Sequence, residues 1–587
     1  MASGPILTRV LLISASAFAI YANATTAIAP EYNRMVHWGL TGMVALLAFG
    51  RGELASRGVR AIDLLLAALL AASTIFLILD YRSYLLRTGI VTTAELVFGV
   101  LMIVLVLEAT RRTVGWFLVF LVLAALVYAM AGQHLTGTFA HRGYDLSRLV
   151  GALYLGSSGI YGLPIEISAT LVIMFVIFGE LLSRSGGDRW FMDLALGLTG
   201  RFRGGTAMSA VGGSAMVGMI SGSPVGCVVT VGNLTIPLMQ KSGFGREFSG
   251  ATVAVAATAA MFTPPLMGAG AFLIAEFLQV PYREVAQAAI IPAALFYLSL
   301  MVTVYLAAVQ LGLRGDQVER PRISRTLAEY GHMVPPVVAL LVLIYMGRSL
   351  MQAAFWAIVL TLACSLLRAH TRIGASRLLT SLQEAARSVV PIAVACASAG
   401  IIEAVINLTG IGFTLSDVLI GMSAGQPFVL LLFVMGAALL LGLPLPPTAV
   451  YLVLVGLTVP AMVRAGFEPM AAHFFVFFYS SMGAITPPVA LAAYAAAALS
   501  GGDVDRTGWL GFRLGLAGYV IPFLCMYFSG ILLIGTPAAI MTGMVVSAAV
   551  VVGTAFIVHL INTATHAVPP AAGAHAPSPA RDPDSRI

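Results

Sequence analysis

Hydroxyl side chains beside prolines, inside apolar sequence, supply what a bare cation or a carboxylate needs in a bilayer, and this chain carries that combination twice. Thr263-Pro264-Pro265 and Thr486-Pro487-Pro488 each interrupt an apolar stretch. Proline has no amide hydrogen for the helix ladder, so nearby carbonyls lose their partners and become available as oxygen ligands next to the threonine hydroxyl. Thr258 stands upstream of the first break, and Ser480 and Ser481 upstream of the second. Each break is preceded by another irregular point. The first is Ser221-Gly222-Ser223-Pro224, inside a Gly- and Ser-rich run from Gly212 to Gly226; the second is Gly442-Leu443-Pro444-Leu445-Pro446-Pro447-Thr448. Such runs cannot continue a regular lipid-facing helix, but a helical hairpin with its tip held inside protein satisfies the backbone. At a tip of this kind a half-helix N-terminus offers N–H groups and the positive end of its dipole to an anion, while unwound carbonyls and hydroxyls suit a hard monovalent cation. Close helix packing through small residues is the plain alternative for the Gly/Ser run.

The elements that position these residues are themselves duplicated. Pro460 lies 223 residues after Pro237, and the same interval separates Met462 from Met239, Gly466 from Gly243, Phe467 from Phe244, Pro487 from Pro264 and Pro447 from Pro224. Proline-interrupted apolar segments at matching positions of two halves point to a secondary transporter built from inverted repeats, with its site where the halves meet. Composition sets the class: 59% hydrophobic residues, 10% charged and a mean hydropathy of +0.96 exclude an ordinary soluble domain, in which about a quarter of residues are charged. The fold class is therefore an all-α polytopic membrane protein. Apolar runs of about 20 residues recur, giving roughly fifteen helices plus shorter broken segments. Three parts are expected. Residues 1–145 hold four helices and a connecting fifth, over 6–28, 36–50, 61–79, 91–108 and 115–132. Residues 146–563 hold the duplication, with repeats near 205–292 and 428–515. Residues 564–587, rich in Ala, Pro, Asp and Ser, read as a disordered tail. The net charge of +7 is a topology signal: Arg51, Arg57 and Arg60, then Arg111 and Arg112, and later Arg314 to Arg325, place these loops and the N-terminus in the cytoplasm. The first apolar run reads as an uncleaved helix rather than a signal peptide, because another follows almost at once. Cys227, Cys364, Cys396 and Cys525 have no metal-ligand spacing and read as small buried hydrophobes.

At this point the chain resembles a known family, the fused membrane permeases of tripartite ATP-independent periplasmic (TRAP) transporters. Leu107-Glu108-Ala109-Thr110-Arg111-Arg112-Thr113-Val114-Gly115 is similar to the end of the family's small subunit; Ile220-Ser221-Gly222-Ser223, Ile236-Pro237-Leu238-Met239, Pro264-Pro265-Leu266-Met267-Gly268, Ala472-His473-Phe474 and Ile485-Thr486-Pro487-Pro488-Val489-Ala490 follow its large subunit. The resemblance implies an elevator-type transporter in the bacterial inner membrane, a small carboxylate as substrate, and delivery by a periplasmic binding protein of the TAXI type. It also implies Na+ as the coupling ion, which we expect near Ser221, Ser223, Thr263, Thr448 and Thr486, with no organic cofactor. The chain departs from the family at Pro224-Val225-Gly226-Cys227, at Ala259-Ala260 and at Pro446-Pro447, which changes the number of oxygens around the expected ion sites.

Glu403 is the other notable residue. It lies in an apolar helix where the resemblance leads us to expect a small or aliphatic side chain. A carboxylate at the bilayer centre costs ~3 kcal/mol on insertion scales, so an intramembrane acid is a candidate proton carrier or cation contact. Reaching an interface or hydrogen-bonding Asn407 one turn on are the structural alternatives. Glu166, Glu180 and Asp188, with Arg184 and Arg189, read as helix-end and ion-pair residues, and His473 as a packing or helix-positioning residue. Lys241 and Arg246 could attract an anion. An integral membrane enzyme is disfavoured, because no HExxH, GxSxG or paired intramembrane acids occur. A channel does not explain two tips at constant offset, an ATP-driven pump lacks its GxxxxGK[ST] motif, and nucleic acid is not an expected partner. The nearest rival is a symporter that works without a binding protein.

Overall fold

The apolar runs fold as helices throughout. The computed structural model describes residues 6–25, 27–49, 57–87, 90–313 and 321–565, with the side chains of 57–60, 220 and 221 outside that description. Among the described residues there is no strand, and 11 helices are long and apolar enough to cross a membrane, joined by seven shorter apolar helices of 10–17 residues. The chain is an all-α polytopic membrane protein. Arg51 and most of the loop expected from Arg314 lie outside the described residues, as does the expected tail from 566 onward.

The first five helices are Ile6–Thr25, Pro30–Ala48, Arg57–Leu86, Thr93–Thr113 and Trp116–Ala131. The third runs past 79, where the sequence pattern ends it, because its Asp80 is held at 2.8 Å by Arg87, which also bonds Glu95 at 2.5 Å. Glu95 in turn completes a capping box with Thr92 that starts the fourth helix. At the opposite ends of these two helices, the buried Arg112 bonds Asp63 at 2.6 Å and Glu108 at 2.7 Å, tying the third helix to the fourth.

A long helix, Ala375–Thr409, packs against the first, second, fourth and fifth of these helices, against Ile173–Arg184 and against Pro447–Arg464 of the second repeat. Ser16 donates to the Leu382 carbonyl at 2.7 Å, and the hydroxyls of Thr110 and Ser398 meet at 2.6 Å. Gly400 is a glycine for lack of space, since a Cβ there would lie 2.2 Å from the Gly159 carbonyl oxygen.

The duplication read from the sequence is a duplication of structure. Each repeat has a hairpin and then a broken helix. The first hairpin has a leading arm, Gly205–Ser221, and a trailing arm, Pro224–Lys241; its broken helix is Arg246–Ala259, a 3-10 turn Ala260–Phe262, the Thr-Pro-Pro break and Ala269–Leu278. The second hairpin has arms Pro427–Gly442 and Pro447–Arg464; its broken helix is Pro469–Met482, a turn Gly483–Ile485, the break and Leu491–Ser500. The repeats interlock. Leu491–Ser500, from the second repeat, packs on the trailing arm and first half-helix of the first repeat, and Ala269–Leu278 packs on the matching elements of the second. Gly250 presses on the Ala496 carbonyl and the Ser500 hydroxyl, Gln240 donates to the Ser500 carbonyl at 2.9 Å, and Gly270 lies against the Phe477 ring.

Candidate ion and substrate site

Each hairpin turns where the sequence places a tip. The first leading arm ends at Gly222, whose φ of +60 suits glycine, and the trailing arm starts with Ser223 as N-cap, its hydroxyl accepting from the Gly226 amide at 3.2 Å, and Pro224 in its first turn. The Ser221 side chain lies outside the described residues. The second tip spans Leu443 to Pro446, with Pro447 opening the trailing arm and Thr448 buried in its first turn. Both trailing arms thus present helix N-termini at the tips.

The leading arms pack on the breaks of their own repeats. A Cβ on Gly218 would stand 2.2 Å from the Ala260 Cβ, and one on Gly483 would stand 2.7 Å from the backbone carbon and oxygen of Gly442. The two breaks match in detail. Each contains a cis bond, Pro264-Pro265 and Pro487-Pro488, and each ends with a non-glycine residue at positive φ, Met267 at 61° and Ala490 at 32°, positions again 223 apart. Non-glycine residues rarely hold such angles unless their surroundings impose them, and they concentrate at functional sites. The turn before the first break meets the second repeat, Phe262 stacking on Phe478 of the half-helix Pro469–Met482 with centroids 4.0 Å apart.

The oxygens expected to be free are partly engaged. Thr263 Oγ1 lies 2.8 Å from the Ala259 carbonyl and 3.0 Å from the Tyr297 hydroxyl; Thr486 Oγ1 lies 2.7 Å from the Met482 carbonyl and 2.7 Å from the Tyr519 hydroxyl. Thr258, Ser480 and Ser481 donate to carbonyls four residues back in their own helices. The second proline's carbonyl has a partner in both repeats: Tyr282 donates to Pro265 at 2.9 Å and to Leu266 at 2.7 Å, and Tyr494 donates to Pro488. These tyrosine hydroxyls reach the carbonyls from outside the helix ladder, where the proline breaks leave no intrahelical donor. Each bonded hydroxyl or carbonyl oxygen keeps a lone pair, so engagement does not remove it as a ligand.

Tyr297 and Tyr519 carry no motif of their own and were not singled out by sequence. They lie 222 residues apart, one short of the repeat interval, so a strict register comparison passes over them. His473 accepts or donates at 2.7 Å with the Tyr451 hydroxyl, joining the second trailing arm to its broken helix, which is the positioning role considered for it. Arg34 pairs with Glu166, Arg184 with Glu180 at 2.6 Å, and Ser183 with Asp188, in line with helix-end roles. Among the described residues no hydrogen bond joins Glu403 to either tip or to Asn407.

The family model for the tripartite ATP-independent periplasmic transporter, DctM component, matches residues 101–565 of this chain. The chain belongs to this family. It is a transporter permease and not an enzyme. This permease is 24% identical over 343 residues to the isethionate TRAP transporter permease DctMQ of Oleidesulfovibrio alaskensis, a match covering 57% of this chain and 52% of that protein. It is 25% identical over 338 residues to the C4-dicarboxylate large permease DctM of Pseudomonas aeruginosa (57% and 78%), and 26% identical over 341 residues to the ectoine/5-hydroxyectoine large permease UehC of Ruegeria pomeroyi (55% and 74%). The crystal structure of the Alcanivorax borkumensis YdaH transporter aligns with 71% of this chain and 98% of that one at 16% identity and a TM-score of 0.47.

Proposed function

We propose that this permease imports a small carboxylate across the bacterial inner membrane, coupled to a Na+ gradient and supplied by a periplasmic binding protein of the TAXI type. The observation that carries the reading is the repeated arrangement in which a helix N-terminus at a hairpin tip is joined, through its leading arm, to a Thr-Pro-Pro break lined by hydroxyls and carbonyls. An N-terminal dipole end favours an anion and clustered neutral oxygens favour a hard cation, so the two halves of a symport site stand in one unit. Ser221, Ser223, Thr263, Thr448 and Thr486 are the hydroxyls we assign to Na+. Isethionate, C4-dicarboxylates and ectoine, named for the relatives, all bear an acidic group. The five N-terminal helices packed on Ala375–Thr409 support a scaffold of fused small- and large-subunit parts, and the interlocked repeats support a body that moves against it as an elevator, with the N-terminus in the cytoplasm.

Reconstitution in liposomes tests this. Uptake of labelled carboxylates should require both the binding protein and an inward Na+ gradient. Uptake without the binding protein would favour the stand-alone symporter, and uptake indifferent to Na+ would overturn the coupling assignment.

A further inference from the structure

A cavity of about 290 Å³ lies between the end of the long helix and the second trailing arm. Glu403, Ile406 and Asn407 line it from one face of the long helix, at helical spacing, and Gly410 from its C-cap; Leu452, Val455, Gly456 and Pro460 line it from one face of the trailing arm; Phe277, Gly412 and Phe413 complete the lining. Along the arm the lining runs from Leu452 to Pro460, the fifth to the thirteenth residue after Pro447, so the cavity begins about 7 Å behind the tip and extends away from it. Glu403 Oε2 is buried and has no hydrogen-bond partner among the described residues. A buried acceptor left unpaired points to something that occupies it.

We propose that this cavity is a proton-loading site in which Glu403 takes up H+ from water, and that its protonation governs how closely the trailing arm packs on the long helix. The volume holds several waters at about 30 Å³ each, Glu403 is six residues from the helix end at Thr409, about 9 Å along the axis, and Asn407 between them is exposed. A metal ion is the poorer occupant. Hard cations want a shell of oxygens, whereas the side chains here offer oxygen only at Glu403 and Asn407, and Gly412 covers the Gly456 carbonyl, a Cβ there standing 2.7 Å from it. Among the lining residues from all four elements Glu403 alone titrates. The nearest charged groups on those elements are otherwise placed: Asp417 and Arg464 bond each other at 2.7 Å, Glu276 adjoins Phe277, and His473, bonded to Tyr451, lies behind the Phe277 ring. The proton is transferred from cavity water to Oε2, leaving a neutral carboxyl and hydroxide that returns to bulk. A carboxylate between Ile406, Leu452 and Val455 must keep its water, and a neutral carboxyl lets that water leave, so protonation allows the apolar faces to close.

Infrared difference spectroscopy on the full chain in lipid, stepped from mildly alkaline to mildly acidic pH, should show a protonated-carboxyl C=O band in wild type that Glu403→Gln loses. Hydrogen exchange over 452–460, corrected for intrinsic rates, should slow on acidification in wild type and be slow at both pH values in Glu403→Gln. A band that survives the substitution, or an identical pH response of 452–460 in both proteins, overturns the proposal. If Glu403→Gln fails to fold, Glu403→Asp must keep the band with a shifted midpoint; an unshifted midpoint overturns it equally. The use of this proton in transport rests on the function proposed above, but neither readout needs substrate, binding protein or Na+, so the two can fail separately.

Discussion

Gly442 and Gly483 touch backbone to backbone, where the second hairpin meets the break of its own repeat. No flexible side chain is there to yield, so Gly483→Ala should cost about 1–3 kcal/mol, the usual range for overpacking. Gly436, in the same leading arm, has open space around it, and Gly436→Ala should leave the unfolding midpoint in place or raise it slightly. Chemical denaturation of the detergent-solubilised protein separates the two. The tyrosines that cap the breaks give a second residue-level test. Tyr519→Phe removes the hydroxyl bonded to Thr486 at 2.7 Å and should lower stability by about 0.5–1.5 kcal/mol while changing the Na+ concentration for half-maximal uptake; Tyr297→Phe should act on the first break in the same sense. Unaltered Na+ dependence in both variants would leave the tyrosines a structural role alone. Thr263 and Thr486 were legible in sequence because proline marks them. Their tyrosine partners were not, because a hydrogen bond across some thirty residues leaves no local pattern.

At the scale of elements, the hairpins and breaks were legible and the ends of the first helices less so. Proline and glycine determine where a backbone ladder must stop, whichever neighbours surround it. The third helix ran longer than its apolar stretch because Asp80 and Arg87 satisfy each other within the fold. The Arg112 cluster shows the same effect with larger energetic weight. Its side chain is 2% exposed and bonds Asp63 and Glu108, so Arg112→Ala removes the buried charge that links the two helices, while Glu108 keeps its pair with Arg111, and should cost about 3 kcal/mol. The Arg325–Glu329 pair is open to its surroundings, and Arg325→Ala should not move the unfolding midpoint measurably. The sequence marks 107–115 as a family signature; only the structure shows that its second arginine ties two helices together.

The interlocking of the repeats belongs to the whole molecule. Because Leu491–Ser500 packs into the first repeat and Ala269–Leu278 into the second, damage in one repeat should surface in the other. Gly250→Val would push side-chain carbon towards the Ala496 carbonyl and the Ser500 hydroxyl, both already within 3.2 Å of a Cβ placed there. Hydrogen exchange should then quicken over 491–500 in the second repeat while 6–25 in the N-terminal part stays protected. Faster exchange confined to the first repeat would mean that the two fold independently.

Composition and a constant interval of 223 residues were enough to establish a membrane protein, its duplication and the positions of its two tips and two breaks, since each follows from rules that act along the chain: hydrocarbon tolerates no unpaired backbone, and proline and glycine interrupt the ladder locally. The exchange of half-helices, the tyrosines on the breaks and the cavity at Glu403 were decided by tertiary structure alone. Each depends on which apolar face meets which, and one apolar face in a chain with 59% hydrophobic residues looks much like another until shape selects the partner.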